Sequence, residues 1–125
     1  IIRFYERSEE FQDVIRPDDI NIIDFLQIYD EFYKIGHHIH RIHEKLRRGI
    51  AVIALQKNKD APLGLGGWRS VEKARLYLGL EQGKCTIQKA KLSRLQGVNP
   101  NGLSLRFTID DGAVFIPDKA GWRRG

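Results

Sequence analysis

The chain has 125 residues, 42% hydrophobic and 30% charged, which suits one compact globular domain with a modest core. A single cysteine, Cys85, excludes an internal disulfide framework and any multi-cysteine zinc site, and no apolar run is long enough to span a bilayer. The net charge of +5 is uneven: residues 1–60 carry 10 Lys and Arg against 11 Asp and Glu, residues 61–125 carry 11 against 5. The basic second half suits a phosphate-bearing partner, with a merely solubilising basic surface as the alternative.

In chain order, "IIRFYER" reads as a short strand, and "SEEFQDVIRPDD" as a polar connector that Pro17 keeps from becoming a helix. "INIIDFLQI" is continuously apolar apart from Asn21, Asp24 and Gln27, the pattern of a central parallel strand buried on both faces. From Asp30 to Arg48 the period changes. Phe32, Ile35, Ile39, Ile42 and Leu46 form one helical stripe, with acids at its start, Arg47 and Arg48 at its end and Gly49 as the stop. "IAVIALQ" is a second apolar strand, so strand, helix and strand form a parallel crossover.

A Gly-rich basic loop, "KNKDAPLGLGGWR", follows, and Ser70 is placed to cap a short helix "VEKAR". The remainder is antiparallel in character. "LYLGLE" turns at "QGK" into "CTIQKAK", a loop leads to "LSLRFTI", and "DDG" turns into "AVFIP". Leu103, Leu105, Phe107 and Ile109 alternate with polar residues and predict one buried face. Residues 118–125 read as a frayed tail. The expected fold is α/β: a parallel sheet core with antiparallel strands and hairpins on the carboxyl-terminal side, residues 1–125 forming a single domain or a fragment of one. The absence of Met and the Ile-Ile start suit a piece of a longer protein.

An ionised carboxylate is costly to bury unpaired, so Asp24 within an aliphatic run calls for a purpose. Ligands of open parallel sheets bind beyond the carboxyl ends of the strands, where Asp24 and Gln56 both fall. A carboxylate there can hold Mg²⁺, usually through water, beside nucleotide phosphates. The plain alternative is an Asp that caps the following segment.

The stretch "INIIDFLQIYDEFYKIGHHIHRIHEKLRRGIAVIALQKN" resembles the Walker B strand, following helix and sensor strand of RecA-like P-loop ATPases, most of all the DnaB-type replicative helicases and their phage and plasmid relatives. The resemblance extends over roughly residues 14–110. It implies that Asp24 helps hold the magnesium of bound ATP and that Gln56 senses the γ-phosphate. It implies DNA contacts, to a single strand, in the loop with Lys57, Lys59, Trp68 and Arg69. "KAK" stands where the family has a Lys-x-Arg pair that reaches a neighbouring subunit's nucleotide, so Lys89 and Lys91 would act in trans within a homo-oligomer. Lys91 lacks the planar fork of the family's arginine, and Arg94 is a nearby substitute. The Walker A pattern GxxxxGK[ST] is absent, so the chain matches the carboxyl-terminal part of such a domain and is not expected to hydrolyse ATP alone. The resemblance and the low cysteine content imply a cytoplasmic setting without a membrane.

Other arrangements carry competing chemistry. His37, His38, His40 and His43 crowd one helix; a solvated face is the simpler reading and a metal pair the alternative. Ser70 and Lys73 form Ser-x-x-Lys without the partner motifs of penicillin-recognising enzymes. Trp68 beside Arg69 either stacks on a base or folds back onto the core. Cys85 reads as a small buried residue. The rival functions are a non-catalytic module binding single-stranded nucleic acid through residues 57–69, and a degenerate structural subunit.

Overall fold

The computed structural model describes residues 2–7, 9–26, 34–94 and 96–125, without the side chains of residues 25 and 26. The expected helix start at Asp30, Glu31 and Phe32 and the strand end at Gln27 and Ile28 lie outside these residues. The chain divides into two compact units, Ile1–Lys73 and Ala74–Gly125.

In the first unit, β1 (Ile20–Leu26) and β2 (Ile50–Leu55) pair in parallel, joined through α1 (Ile35–Lys45). The register runs Ile20 to Ile50, Ile22 to Val52 and Ile23 to Ile53, then slips so that Leu26 meets Leu55. Ile35, Ile39 and Ile42 are buried along one side of α1 and pack with Ile23, while Phe11, Ile15, Ala51, Ile53 and Leu55 complete the cluster. Phe11 belongs to a 3₁₀ turn, Phe11–Val14, within the expected polar connector.

Among the described residues, elements pack on one face of the sheet only. Ile20 and Ile22 are 72% and 74% exposed, and β2 alternates between exposed and half-buried positions. The expectation of two buried faces for the first strand therefore fails, and the second apolar strand likewise buries only one. Continuous aliphatic runs fit double burial, but among the described residues only α1 and the 3₁₀ turn cover this sheet, and both lie on the odd-numbered side. Residues 2–7, expected as a strand, have no regular structure, and Phe4 is 90% exposed.

The turn after α1 is fixed by close backbone approach. Arg47 and Gly49 both donate their N–H groups to the Pro17 carbonyl, at 2.8 and 2.9 Å, and Ile50 donates to Asp19. A Cβ on Gly49 would stand 2.3 Å from the Asp19 oxygen and 2.8 Å from that of Pro17. α1 ends at Lys45, with Leu46 already extended, so Gly49 serves close approach and not the expected helix termination. Asp18 receives the guanidinium of Arg47 at 2.8 Å and the backbone N–H of Arg48.

The second unit is an antiparallel meander of β3 (Leu76–Glu81), β4 (Lys84–Ala90), β5 (Leu103–Asp110) and β6 (Val114–Pro117). Gly83 (φ 71°) turns the first hairpin. Asp111 and Gly112 turn the last with φ of 51° and 72°, the left-handed values a type I′ turn requires. Leu80, Cys85 and Leu105 form one cross-strand row, in which Cys85 and Leu105 are buried. The expected buried face of β5 holds at Leu105 and weakens to Ile109, 49% exposed, because pairing with β4 ends at Arg106. Ser104, on the other face, is also buried. The tail is not frayed: β7 (Arg123–Arg124) pairs with β5, and the Arg124 guanidinium donates to the carbonyls of Asn99 and Asn101.

The architecture is thus mixed α/β, with a two-stranded parallel sheet and a larger antiparallel one of five strands. No helix among the described residues is long and apolar enough to cross a membrane.

Candidate functional site

Asp24 and Gln56 both lie toward the carboxyl ends of the two strands. Each follows a residue of the core cluster, Ile23 and Leu55, but the register slips between Ile23 and Leu26, so strict alternation does not carry through Asp24. Both are exposed, Asp24 near the carboxyl end of β1 and Gln56 just past β2. Because the strands run parallel, these two carboxyl ends are neighbours. Asp24 makes no ion pair among the described residues and adjoins the exposed aliphatic Ile22. A carboxylate within an apolar run thus entails no buried charge, since Asp24 stands in solvent.

Gln56 also anchors the Gly-rich loop: its carbonyl accepts the N–H of Leu65 at 2.8 Å. Within the loop the Lys57 ammonium donates to the Ala61 carbonyl at 3.0 Å, and Asp60 adopts a left-handed φ of 63°. Lys57 is half-buried and acts as a staple of the loop, whereas Lys59 is exposed at its tip. A shallow open depression lies along residues 58–67. Gly66 and Gly67, both at positive φ, then turn the chain into α2 (Trp68–Val71).

This helix begins two residues earlier than the expected cap at Ser70. Ser70 lies inside it, 2% exposed, with its hydroxyl donating to the Gly67 carbonyl at 2.6 Å. A side chain so enclosed is a lock on the turn and not an accessible nucleophile for the Ser-x-x-Lys reading. Gly36 lets α1 approach α2 closely, since a Cβ there would sit 3.0 Å from the Arg69 carbonyl oxygen. That contact positions Trp68 and Arg69. Trp68 is 77% exposed and Arg69 is exposed, so the indole does not fold back onto the core.

The remaining expected residues belong to the second unit. Lys89 is half-buried on β4 opposite Tyr77, Lys91 follows the strand with its N–H held by the Arg75 carbonyl at 2.9 Å, and Arg94 is exposed on the next loop. Sequence reasoning missed Asn21, whose side chain organises the strand starts. Its Oδ1 accepts the Arg16 N–H at 2.9 Å, and its Nδ2 faces the carbonyls of Arg16, Asp19 and Ile50. An Asn within an aliphatic strand was the available signal.

The described residues contain no group of three or more His, Cys, Asp or Glu able to hold a metal. On α1, His40 contacts Glu44 at 3.0 Å, and His37 and His38 stand edge to face at 6.3 Å. Burial and the neighbouring His37 and Arg41 hold the His38 imidazole below its ordinary pKa. Burial pushes the Cys85 thiol up, as expected of a structural cysteine. A lone carboxylate at Asp24 does not make a free-standing metal centre. It does suit Mg²⁺ delivered with a polyphosphate, because that ion keeps most of its waters and takes one or two carboxylates.

No family model, no curated protein and no solved structure matches the chain.

Proposed function

We propose that the chain is part of an ATP-dependent motor acting on DNA, of the RecA-like P-loop class and most like a replicative helicase or a related phage or plasmid ATPase. The observation that supports this reading is the exposure of Asp24 and Gln56 at the carboxyl ends of adjacent parallel strands. Asp24 would hold a water-coordinated Mg²⁺ on the nucleotide, and Gln56 would hydrogen-bond the γ-phosphate. The metal supplies charge neutralisation on the phosphates; the chain's own residues orient it. Lys89 and Lys91, with Arg94 nearby, would meet the nucleotide of an adjacent subunit in a homo-oligomer. Lys59, Trp68 and Arg69 would contact single-stranded DNA, while Lys57 braces their loop.

The test uses a protein in which a phosphate-binding loop precedes this chain. Asp24→Asn is expected to lower DNA-stimulated ATP turnover by about 100-fold, or about 2.7 kcal/mol of barrier. Turnover equal to the parent's removes Asp24 from the mechanism.

A second reading, a nucleic-acid-binding module without catalysis, is favoured by Trp68, which presents most of its indole to solvent beside Arg69. In that case Asp24→Asn leaves oligonucleotide binding unchanged and no ATP turnover accompanies it.

A further inference from the structure

We propose that the free edge of β3 pairs, antiparallel, with the same edge of a second copy of this chain. β3 is the outermost strand of the five-stranded sheet and has β4 as its only strand partner among the described residues. The direction of its backbone groups follows from both ends. Glu81 and Lys84 flank a two-residue turn and form a hydrogen-bonded pair, as do Gly79 and Thr86 further along. At the other end the Arg75 carbonyl accepts the Lys91 N–H at 2.9 Å. Arg75, Tyr77, Gly79 and Glu81 thus turn their backbone groups to β4, and Leu76, Leu78 and Leu80 turn theirs outward. The register shift in this pairing adds its extra residue to β4 and leaves β3 regular.

Such an edge is a template for another strand, and soluble proteins ordinarily interrupt it with Pro, Lys or a bulge. β3 contains neither Pro nor Lys, and its one charge, Glu81, ends it. Leu76, Leu78 and Leu80 share one face and are 58%, 44% and 60% exposed.

The order of residues along β3 says what fits the edge. Antiparallel pairing centred on Leu78 sets Leu78 opposite its own copy, Leu76 opposite Leu80, Tyr77 opposite Gly79 and Arg75 opposite Glu81. Every outward residue then meets an outward residue, for about six inter-strand hydrogen bonds. The Arg75–Glu81 pair forms twice, once at each end. Sliding the copies by two residues loses both pairs, and parallel pairing in register sets like charges side by side. Arg75 and Glu81 are exposed and make no ion pair among the described residues. Lys84 already lies opposite Glu81, so the contact sets that carboxylate between Lys84 of its own chain and Arg75 of the second copy. A pattern that is its own complement about a two-fold axis is the requirement of an isologous interface. One strand a side is less than stable interfaces use, so association is weak and rises with concentration.

This pairing goes beyond the proposed function. It closes on two copies and needs no nucleotide, whereas Lys89 and Lys91 acting on a neighbour's nucleotide require a separate head-to-tail contact.

Sedimentation velocity of the 125-residue chain over rising concentration tests the proposal. The weight-average mass is expected to climb from one chain towards two. Leu78→Pro removes an outward N–H that β4 does not use, a position where edge strands tolerate Pro, and is expected to hold the mass at one. Arg75→Glu alone and Glu81→Arg alone are each expected to weaken association about tenfold, because like charges then stand opposite at both ends. The two variants mixed in equal amounts are expected to associate as tightly as the parent, because opposite charges meet again at both ends. A parent chain that stays single throughout, a Leu78→Pro variant with the parent's circular dichroism that associates like the parent, or a mixture no tighter than either variant alone overturns the proposal. None of these measurements involves Asp24 or nucleotide, so their failure is distinct from failure of the Asp24→Asn turnover test.

Discussion

Asn21 and Gly49 show how single residues decide the geometry of the first unit. The Asn21 amide joins the Arg16–Asp19 turn to the starts of β1 and β2 through one acceptor and one donor group. Replacing it by Ala removes these solvent-accessible hydrogen bonds, and Asn21→Ala is expected to lose about 1 kcal/mol in urea denaturation. Gly49 stands against the backbone of Pro17 and Asp19, which cannot rotate away as a side chain would. Gly49→Ala is expected to cost about 2–3 kcal/mol by the same measurement, from overpacking. Charge order suggested Gly49 as the helix stop, yet α1 ends at Lys45; the close approach that Gly49 does serve was not legible, because contact with residues 17–19 depends on the fold around it. The strand-end positions of Asp24 and Gln56 were legible from the two apolar runs, whereas the register slip between Ile23 and Leu26 was not, because it depends on pairing with β2. Lys57 carries a contact its charge does not announce: its ammonium donates to a carbonyl four residues on.

At the scale of elements, α1 carries the apolar stripe that the periodicity of three and four announces. Ile42 is 1% exposed, and the helix packs that stripe on Ile23, Ile53 and Leu55. The same helix brings a pH dependence. The folded protein holds His38 below the ordinary imidazole pKa of about 6.5, chiefly through burial, so below that value the unfolded chain binds more protons. Stability contributed by neutral His38 is present above about pH 6.5 and is lost as pH falls through the depressed pKa. Denaturation midpoints at about pH 7.5 and about pH 5, either side of that value, are expected to converge in His38→Gln relative to the parent. The antiparallel hairpins were legible through their turns, because left-handed backbone at Gly83, Asp111 and Gly112 favours those residue types. β7 was not, since two arginines among Gly and Asp carry no strand pattern; pairing with Leu103 and Ser104 imposes it. Residues 2–7 failed in the opposite sense. Their apolar and aromatic content suits a strand, but among the described residues no partner strand pairs with them.

For the whole molecule, composition and charge bounded the class without fixing the topology. Alternating burial of β2 and the exposed Ile20 and Ile22 depend on what lies over the sheet, which local sequence does not encode. The proposed affinity for single-stranded DNA rests on the positive excess of the second half and on the outward Trp68–Arg69 pair. Trp68→Ala is expected to weaken binding of a fluorescent oligonucleotide by about 1–3 kcal/mol, the range for one stacked base. Affinity is also expected to fall steeply as salt rises. An affinity unaffected by Trp68→Ala would move the contact off this loop.

Asp24 and Gln56 are proposed to act on one nucleotide, and a double-mutant cycle measures that directly. With a phosphate-binding loop supplied ahead of the chain, Asp24→Asn, Gln56→Ala and their combination are compared by DNA-stimulated ATP turnover. Two groups that hold the same bound phosphates are expected to be coupled, the double variant losing clearly less than the two single losses combined. Strictly additive losses, or a Gln56→Ala variant as active as its parent, would contradict a shared site.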